Sequence, residues 1–222
     1  MSSSDPLAAN LELERSKPMA SDLIDAFKSA ATAVISDNLD RLPGAVGLRP
    51  FHREGRLAGP AFTVRTAVGD NLFIHKALDL VKPGDVLVVD GGGDESRALV
   101  GEIMVTIARS RGVAGFVIDG AIRDVGAIAN GDFPCFARTA IHRGPYKNGP
   151  GEIGVPVTIG GMVVHPGDFV VGDQDGVVAF SPEKAPALLE AVRAQERKEE
   201  EIMLSVREGR YAGAYAKAAK TG

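Results

Sequence analysis

Apolar side chains recur at every third or fourth position over residues 20–42 and again from Pro182 to Arg207. This spacing predicts an amphipathic helix near each end of the chain. Ser36 and Asp37 are candidates to cap a second short helix that ends near Leu42. Between the two ends, the apolar residues form short runs bounded by glycine and proline, a pattern that indicates buried strands joined by tight turns.

The middle of the chain alternates between the two periodicities. A strand is predicted over residues 61–68, a helix from Asn71 to Leu80, a helix from Arg97 to Arg109 and a buried strand over residues 115–118. Strand, helix and strand in this order predict a right-handed crossover with functional loops at the carboxyl ends of the strands. Those loops are residues 90–96 and 119–124, and further short apolar runs predict a second half rich in β-structure.

Two stretches of the chain have similar sequences. The sequence Pro-Gly-Asp followed by an apolar run and an acidic loop occurs at residues 83–93 and again at 166–176. Pro-Gly suits the two central positions of a type II turn, because proline presets φ and glycine accepts a positive φ. Duplication of a supersecondary unit and the independent use of common turn chemistry both explain the echo.

Composition limits the classes of function. The 222 residues are 45% apolar with a net charge of −4, enough for one core, and no stretch mixes basic with aromatic residues as nucleic-acid sites do. The single cysteine, Cys135, and the absence of a leader or a membrane-spanning run favour the cytoplasm. Residues 1–17 are expected to be a flexible tail or docking arm, and residues 18–222 a single domain.

The candidate chemistry lies at the predicted strand ends. Asp124 offers a carboxylate to a hard cation such as Mg²⁺, and Arg123 offers a bidentate fork to a carboxylate or an enolate oxygen. An exposed ion pair on a loop is the simpler alternative. The glycine-rich residues 90–96 are predicted to lead into a helix and to let an anion approach the backbone, although a hairpin turn is equally consistent. They lack the lysine of a phosphate-binding loop and the spacing of a dinucleotide fingerprint.

Glu102 precedes Arg123-Asp124 by an interval of twenty intervening residues, and this arrangement resembles the RraA-like family of 4-hydroxy-4-methyl-2-oxoglutarate aldolases. The resemblance extends over residues 20–210. It includes the sequences at residues 36–39, 70–72, 83–93 and 173–177.

The resemblance implies an α/β fold of the swivelling β/β/α type, with amino-terminal helices and a carboxyl-terminal helix, assembled as a homotrimer or a hexamer with sites between subunits. It implies that Asp124 binds Mg²⁺ or Mn²⁺ and that Arg123 binds pyruvate. Glu102 would act through a water molecule, and Glu199 of a neighbouring subunit would join the site. The backbone of Gly101, Glu102, Ile103 and Met104 would hold the pyruvate carboxylate. Three consecutive glutamates also fit a solvated helix face, which leaves the assignment of Glu199 open.

The expected function is a class II aldolase that releases pyruvate from 4-hydroxy-2-oxo acids and also decarboxylates oxaloacetate, because both reactions pass through one enolate. A noncatalytic regulatory ring of the ribonuclease-inhibitor type is the alternative. Members of that branch lack the acidic residue after the arginine, whereas this chain has Asp124. Related aldolases more often carry aspartate where this chain has Glu102, so altered water geometry is expected. A methyltransferase would need a glycine-rich loop that binds the adenosyl group after an early strand, and the sequence has none.

Histidine is the other candidate base or ligand. The four histidines, His52, His75, His142 and His165, have no spacing typical of a metal site. His75 is expected to have a structural role or to contact the residues that bind the ligand without binding it itself.

Overall fold

The computed structural model describes residues 21–41 and 44–213. This part of the chain contains ten strands and six α-helices, connected by turns and loops. The strands are β1 (Arg49–Pro50), β2 (Leu57–Thr66), β3 (Val86–Val100), β4 (Gly115–Ile122), β5 (Cys135–Ala140), β6 (Gly151–Ile153), β7 (Val157–Ile159), β8 (Met162–Val164), β9 (Phe169–Asp173) and β10 (Gly176–Phe180). The helices are α1 (Ser21–Ser29), α2 (Thr32–Asp37), α3 (Leu72–Leu78), α4 (Glu102–Ser110), α5 (Val125–Ala129) and α6 (Ala185–Arg207), the last preceded by a 3₁₀ turn at Pro182–Lys184.

Strand β2 connects a parallel and an antiparallel set of strands. The main order is β1-β5-β4-β3-β2-β9-β10, with β6 also paired to β2 and with β7 and β8 forming a separate hairpin. Strands β2 to β5 are parallel neighbours, whereas β9 and β10 pair antiparallel. The predicted strand, helix and strand unit is therefore confirmed between β3 and β4, and so are the β-rich second half and the long terminal helix.

Alternate side chains of the central strands enter different apolar clusters. Leu87 and Val89 of β3 pack with helices α3, α4 and α5, whereas Val86 and Val88 pack with the hairpin β7–β8 and with β9 and β10. This follows from the two-residue period of a strand, which turns successive side chains to opposite faces. Both faces are apolar, so the strand is buried on both sides.

The same alternation continues into β10 and gives the order of the layers. Val177 and Ala179 face the central cluster, whereas Val178 and Phe180 pack against α1, α2 and α6. Helices α3 to α5 thus cover one sheet face, two sheet regions meet in the middle, and α1, α2 and α6 cover the other side. The α/β fold class with helices at both ends is confirmed, and helices α3 and α4 are the ones that reach the predicted site.

The amphipathic stretch over residues 20–42 forms two helices, but the break between them lies before Thr32, earlier than predicted. The backbone N–H and the hydroxyl of Thr32 both donate to the carboxylate of Asp173, at 2.8 and 2.5 Å, and this tie to β9 accompanies the break between α1 and α2. The prediction that Ser36 and Asp37 begin a second helix is wrong, because α2 ends at Asp37. The predicted end near Leu42 lies outside the described residues.

The glycine-rich residues 90–96 do not form the predicted loop before a helix. They continue strand β3, which keeps pairing with β4 through register shifts as far as Val100 opposite Ile122. Gly92 and Gly93 have φ of 68° and 69°, a backbone conformation that accommodates such a bulge. The helix predicted from Arg97 consequently begins only at Glu102.

The two echoed turns have the same local structure. Gly84 and Gly167 have φ of 89° and 82°, as predicted for the third residue of a type II turn. In each turn an aspartate side chain, that of Asp85 or Asp168, accepts the backbone N–H three residues earlier at 2.7 Å. The units diverge afterwards, because β3 pairs with parallel neighbours and β9 turns back into an antiparallel hairpin. The similarity therefore covers the turn and one strand.

None of the helices in the described part of the chain is long and apolar enough to cross a membrane.

Candidate active site

Arg123 and Asp124 lie where β4 ends beside the end of β3. Ile122 pairs with Val100 across the two parallel strands, and the Arg123 N–H donates to the Val100 carbonyl at 3.0 Å. Helix α4 starts immediately after β3, at Glu102. Two strand ends and one helix start therefore meet at a single point, as expected for parallel strands.

The Asp124 carboxylate is held in place by the start of helix α4. Its Oδ2 accepts the Glu102 backbone N–H at 3.0 Å and lies 3.8 Å from Arg123 Nε. Asp124 itself has φ 58°, a left-handed conformation that a non-glycine residue adopts at a cost. The side chains of Arg123 and Asp124 are 44% and 42% exposed, so both remain accessible to a ligand.

Gly101 allows this contact. A Cβ atom at position 101 would lie 2.4 Å from Asp124 Oδ2 and 3.0 Å from Arg123 Cγ, closer than real Cβ contacts. The backbone of Gly101 is extended (φ −152°), so glycine serves here to allow close approach. The glycine before Glu102 is therefore part of the geometry that places Asp124.

The opposite wall of the cleft comes from helix α3 and from the loop between β5 and β6. The Asp70 carboxylate accepts the backbone N–H groups of Leu72, Asn148 and Gly149 at 2.7 to 2.8 Å. Asn71 N–H donates to the Tyr146 carbonyl at 3.0 Å. These bonds join the loop to the start of α3 and bring its residues over the strand ends.

Together these walls enclose a cleft of about 90 Å³. Its polar and charged lining residues are Asn71, His75, Arg123, Asp124 and Lys147, and Gly101, Ile103 and Met104 line its floor at the start of α4. On their other side, Arg123 and Asp124 border a shallower depression of about 390 Å³ lined also by Ile141 and His142. The pair thus separates a narrow cleft from an open surface.

Charges in the cleft favour an anionic ligand. Burial lowers the pKa of His75, the positive charge of Lys147 lowers that pKa further, and Asp79 partly opposes this. His75 is therefore predominantly neutral near pH 7. Burial raises the pKa of Asp70, but its three backbone donors more than offset this and keep that pKa below the usual value. Lys147 and Arg123 supply positive charge, and Asp124 supplies the one carboxylate in the lining.

The structure brings most of the predicted site residues together. Gly101, Ile103, Met104, Arg123 and Asp124 all line the cleft. The Met104 N–H donates to the Gly101 carbonyl at 3.1 Å, whereas the amides of Gly101 and Ile103 have no hydrogen-bond partner among the described residues.

Two predicted glutamates lie elsewhere. The Glu102 side chain is exposed and is not part of the lining, because its backbone N–H is what contacts Asp124. Glu199 lies on α6, where its Oε1 accepts from Gln195 Nε2 at 2.8 Å, and it does not line the cleft of its own chain.

Asn71, His75 and Lys147 line the cleft but were not predicted to bind a ligand. Asn71 is one of the polar residues that follow β2. Its position after a strand end was the feature of the sequence that could have indicated a ligand-binding role. His75 was expected to play a structural role. Lys147 is exposed in a loop far along the chain, and its approach depends on the Asp70 contacts.

A divalent cation would find one protein carboxylate here. Among the described residues, no three His, Cys, Asp or Glu side chains gather as metal ligands. Asp124 Oδ2 is occupied by the Glu102 amide, while Oδ1 has no partner within the described part of the chain. Magnesium commonly binds through one or two carboxylates and keeps several waters, so this single free oxygen fits Mg²⁺ or Mn²⁺ better than a metal that needs a protein cage.

Comparison with known proteins identifies relatives over most of the chain. The family model described as RraA-like: Aldolase/RraA matches residues 32–179. A protein of Halalkalibacterium halodurans, provisionally named a 4-hydroxy-4-methyl-2-oxoglutarate aldolase, is 39% identical over 180 residues. The alignment covers 81% of this chain and 86% of that protein.

Solved structures are similar over the same region. An uncharacterized protein from Pseudomonas syringae superposes with a TM-score of 0.77 and 29% identity, covering 87% of this chain and 96% of that one. The RNA-processing inhibitor RraA from Thermus thermophilis superposes with a TM-score of 0.62 and 33% identity, covering 69% and 93%. Proteins named as an aldolase and as a regulator are thus both related to this chain.

Proposed function

The chain belongs to the RraA-like family, and on that basis we propose that it is a divalent-metal-dependent aldolase. Its substrates would be 4-hydroxy-2-oxo acids such as 4-hydroxy-4-methyl-2-oxoglutarate, cleaved to pyruvate and a second oxo compound. The relative named after this reaction supports the substrate class. One observation carries the proposal, namely the half-exposed Asp124 carboxylate fixed beside Arg123 by the start of helix α4.

Each residue of this arrangement has a role that follows from its chemistry. The Arg123 guanidinium binds the oxo oxygen of the pyruvate half and opposes the negative charge that develops there. The unpartnered amides of Gly101 and Ile103 at the start of α4 donate to the pyruvate carboxylate. Asp124 would hold Mg²⁺ or Mn²⁺, which would supply Lewis-acid stabilisation of negative charge on the pyruvate half.

Cleavage also requires a base for the substrate hydroxyl. A water molecule polarised by Glu102, and by Glu199 of a neighbouring subunit, would take this proton. Neither carboxylate lines the cleft of its own chain. Oxaloacetate would be decarboxylated at the same site, since loss of its distal carboxylate leaves the same pyruvate enolate.

A homotrimer or a hexamer would complete the site. Helix α6 exposes Met203, Leu204 and Val206 by 49% to 52% shortly after Glu199, and Ile103 at the edge of the cleft is 72% exposed. Such apolar side chains favour burial against another copy of the chain. Contact between them would bring Glu199 of one subunit towards the cleft of the next.

The proposal is tested by measuring pyruvate release from 4-hydroxy-4-methyl-2-oxoglutarate with added Mg²⁺, with EDTA, and in the variant Asp124→Asn. EDTA and the substitution are each expected to lower kcat/KM at least about 100-fold, because each removes charge stabilisation of the transition state. Glu95→Gln, which removes an exposed carboxylate outside the cleft, is the matched control. Full activity in EDTA or in Asp124→Asn would refute the mechanism.

A regulatory role is the second candidate. It is favoured by the similarity to the RNA-processing inhibitor from Thermus thermophilis. Inhibition of a purified ribonuclease by a protein that turns over no 2-oxo acid would favour this candidate. Turnover that disappears in Asp124→Asn would favour the aldolase.

A further inference from the structure

One buried amide in the wall of the cleft has an unused hydrogen-bond acceptor. The Asn71 side chain is 3% exposed, and its Nδ2 donates to the Leu99 carbonyl at 2.9 Å and to Met104 Sδ at 3.4 Å. Its Oδ1 has no partner within the described part of the chain. The orientation of the amide is fixed, because a flip would place Oδ1 against the Leu99 carbonyl oxygen.

The side chain of Asn71 does not perform the task usual at its position. Asn71 is the N-cap residue of α3, where asparagine commonly accepts a backbone N–H of the first turn. Here it makes no capping bond, and Asp70 Oδ1 accepts the Leu72 N–H at 2.8 Å instead. The amide is thereby available to the cleft that it lines with Arg123 and Asp124. A buried carbonyl oxygen without a donor is unfavourable, so a donor is expected when the cleft is filled.

A ligand in the cleft can supply this donor. Arg123, Lys147 and the amides of Gly101 and Ile103 are donors that suit carboxylate and oxo oxygens, whereas the Asp124 carboxylate is an acceptor that the proposed function assigns to the metal. Asn71 Oδ1 is an acceptor, and oxo and ionised carboxylate groups have no hydrogen to offer it. A hydroxyl group has one.

We infer that Asn71 Oδ1 accepts a hydrogen bond from the substrate hydroxyl, so that the cleft selects hydroxy-substituted 2-oxo acids over those without a hydroxyl. This inference rests on the proposed function. An amide is too weak a base to take the proton, so Asn71 positions the hydroxyl. In the cleavage step the hydroxyl proton leaves to the base, the O–H electron pair becomes the new C=O bond, and the C3–C4 pair passes to the pyruvate enolate.

The first test compares two ligands that differ by one hydroxyl. Binding of 4-hydroxy-2-oxoglutarate and of 2-oxoglutarate to the metal-loaded protein is measured by calorimetry, with turnover of the former followed in parallel. The wild-type protein is expected to bind the hydroxy acid about 10-fold more tightly, and Asn71→Leu is expected to abolish the difference. Equal binding of the two ligands by the wild-type protein would overturn the inference.

The second test uses an internal ratio that a general structural defect would not change. For Asn71→Leu, kcat/KM is expected to fall by about 10- to 100-fold for 4-hydroxy-4-methyl-2-oxoglutarate and to stay within about twofold for oxaloacetate, which lacks the hydroxyl. Equal loss for both substrates would assign Asn71 a structural role and overturn the inference. Asn71→Ala is measured by the same ratio if the leucine variant does not fold.

These tests separate the inference from the proposed function. If the wild-type protein releases pyruvate from neither substrate, the aldolase proposal fails, and the binding comparison still decides whether Asn71 recognises a hydroxyl. If wild type is active and the Asn71 variants lose both activities equally, only the inference fails.

Discussion

Replacing Gly101 with alanine is the sharpest single perturbation of the proposed site. The added Cβ would lie 2.4 Å from Asp124 Oδ2, whereas ordinary contact begins at 3.4 Å, so the carboxylate must retreat by roughly 1 Å. That retreat breaks the Glu102 N–H bond to Asp124, now 3.0 Å long, and also presses on Arg123 Cγ. The backbone at position 101 is extended, so alanine is tolerated there by the chain itself.

The expected result is a selective loss of activity. A displacement of about 1 Å at a reacting group costs on the order of 100-fold in rate, so kcat/KM for pyruvate release should fall by about that factor. The assay follows pyruvate release from 4-hydroxy-4-methyl-2-oxoglutarate at saturating Mg²⁺, alongside urea denaturation to confirm folding. Activity of Gly101→Ala within about threefold of wild type would refute the idea that the Asp124 position matters.

Gly126 provides the matched control for this experiment. It lies in helix α5, two residues after Asp124, and a Cβ there would meet nothing within 4 Å. Gly126→Ala is expected to leave kcat/KM unchanged and to stabilise the fold by about 0.5–1 kcal/mol, because alanine is the better helix former. A similar activity loss in both variants would show that the effect is not specific to position 101.

Two further predictions concern stability. Asp70→Ala removes the acceptor of three backbone N–H donors, including those of Asn148 and Gly149, and should lower the free energy of unfolding in urea by about 2–4 kcal/mol. A change below about 1 kcal/mol would show that these bonds do not hold the loop. Burial lowers the pKa of His52 even though the nearby backbone groups of Cys135 and Gly55 raise it. Its contribution to stability is therefore complete above the unfolded pKa of about 6.5 and is lost as the pH falls below it, so the free energy of unfolding should fall more for wild type than for His52→Phe between pH 7.5 and 5.5. Urea titrations of both proteins at the two pH values measure this difference. An equal fall in the free energy of unfolding for wild type and His52→Phe would contradict the prediction.

Local sequence patterns predicted the strand end that carries Arg123 and Asp124, whereas Gly101 and Glu102 were assigned to the site only through the family resemblance. Arg123 and Asp124 follow a buried parallel strand. The apolar spacing placed Gly101-Glu102 inside a helix starting at Arg97, but that helix begins at Glu102. Parallel strands bring such ends to one edge, so their proximity follows from the order of elements. The extension of β3 to Val100 was missed because it depends on pairing with β4 across a glycine bulge, and this long-range contact overrides the helical spacing after Arg97.

The opposite wall could not be predicted in the same way. Lys147 approaches the cleft only because Asp70 binds the amides of Asn148 and Gly149, which lie 78 and 79 residues away along the chain. Likewise, nothing local to Asn71 indicates that Asp70 takes over the capping bond and leaves the Asn71 amide without one beside the cleft. Both features arise from hydrogen bonds between distant segments, which leave no periodic trace in the sequence.

The exposure of Arg123 and Asp124 determines how strongly their charges act on a ligand. Both side chains border the open depression lined by Ile141 and His142, so water reaches the pair from that side. In water, charges a few ångströms apart interact by only about 1 kcal/mol, and the interaction strengthens several-fold once water is excluded. A cover over the depression would therefore strengthen the contacts of Arg123 and Asp124 with a bound oxo acid. In the proposed trimer or hexamer, another subunit would provide this cover together with Glu199, which does not line the cleft of its own chain.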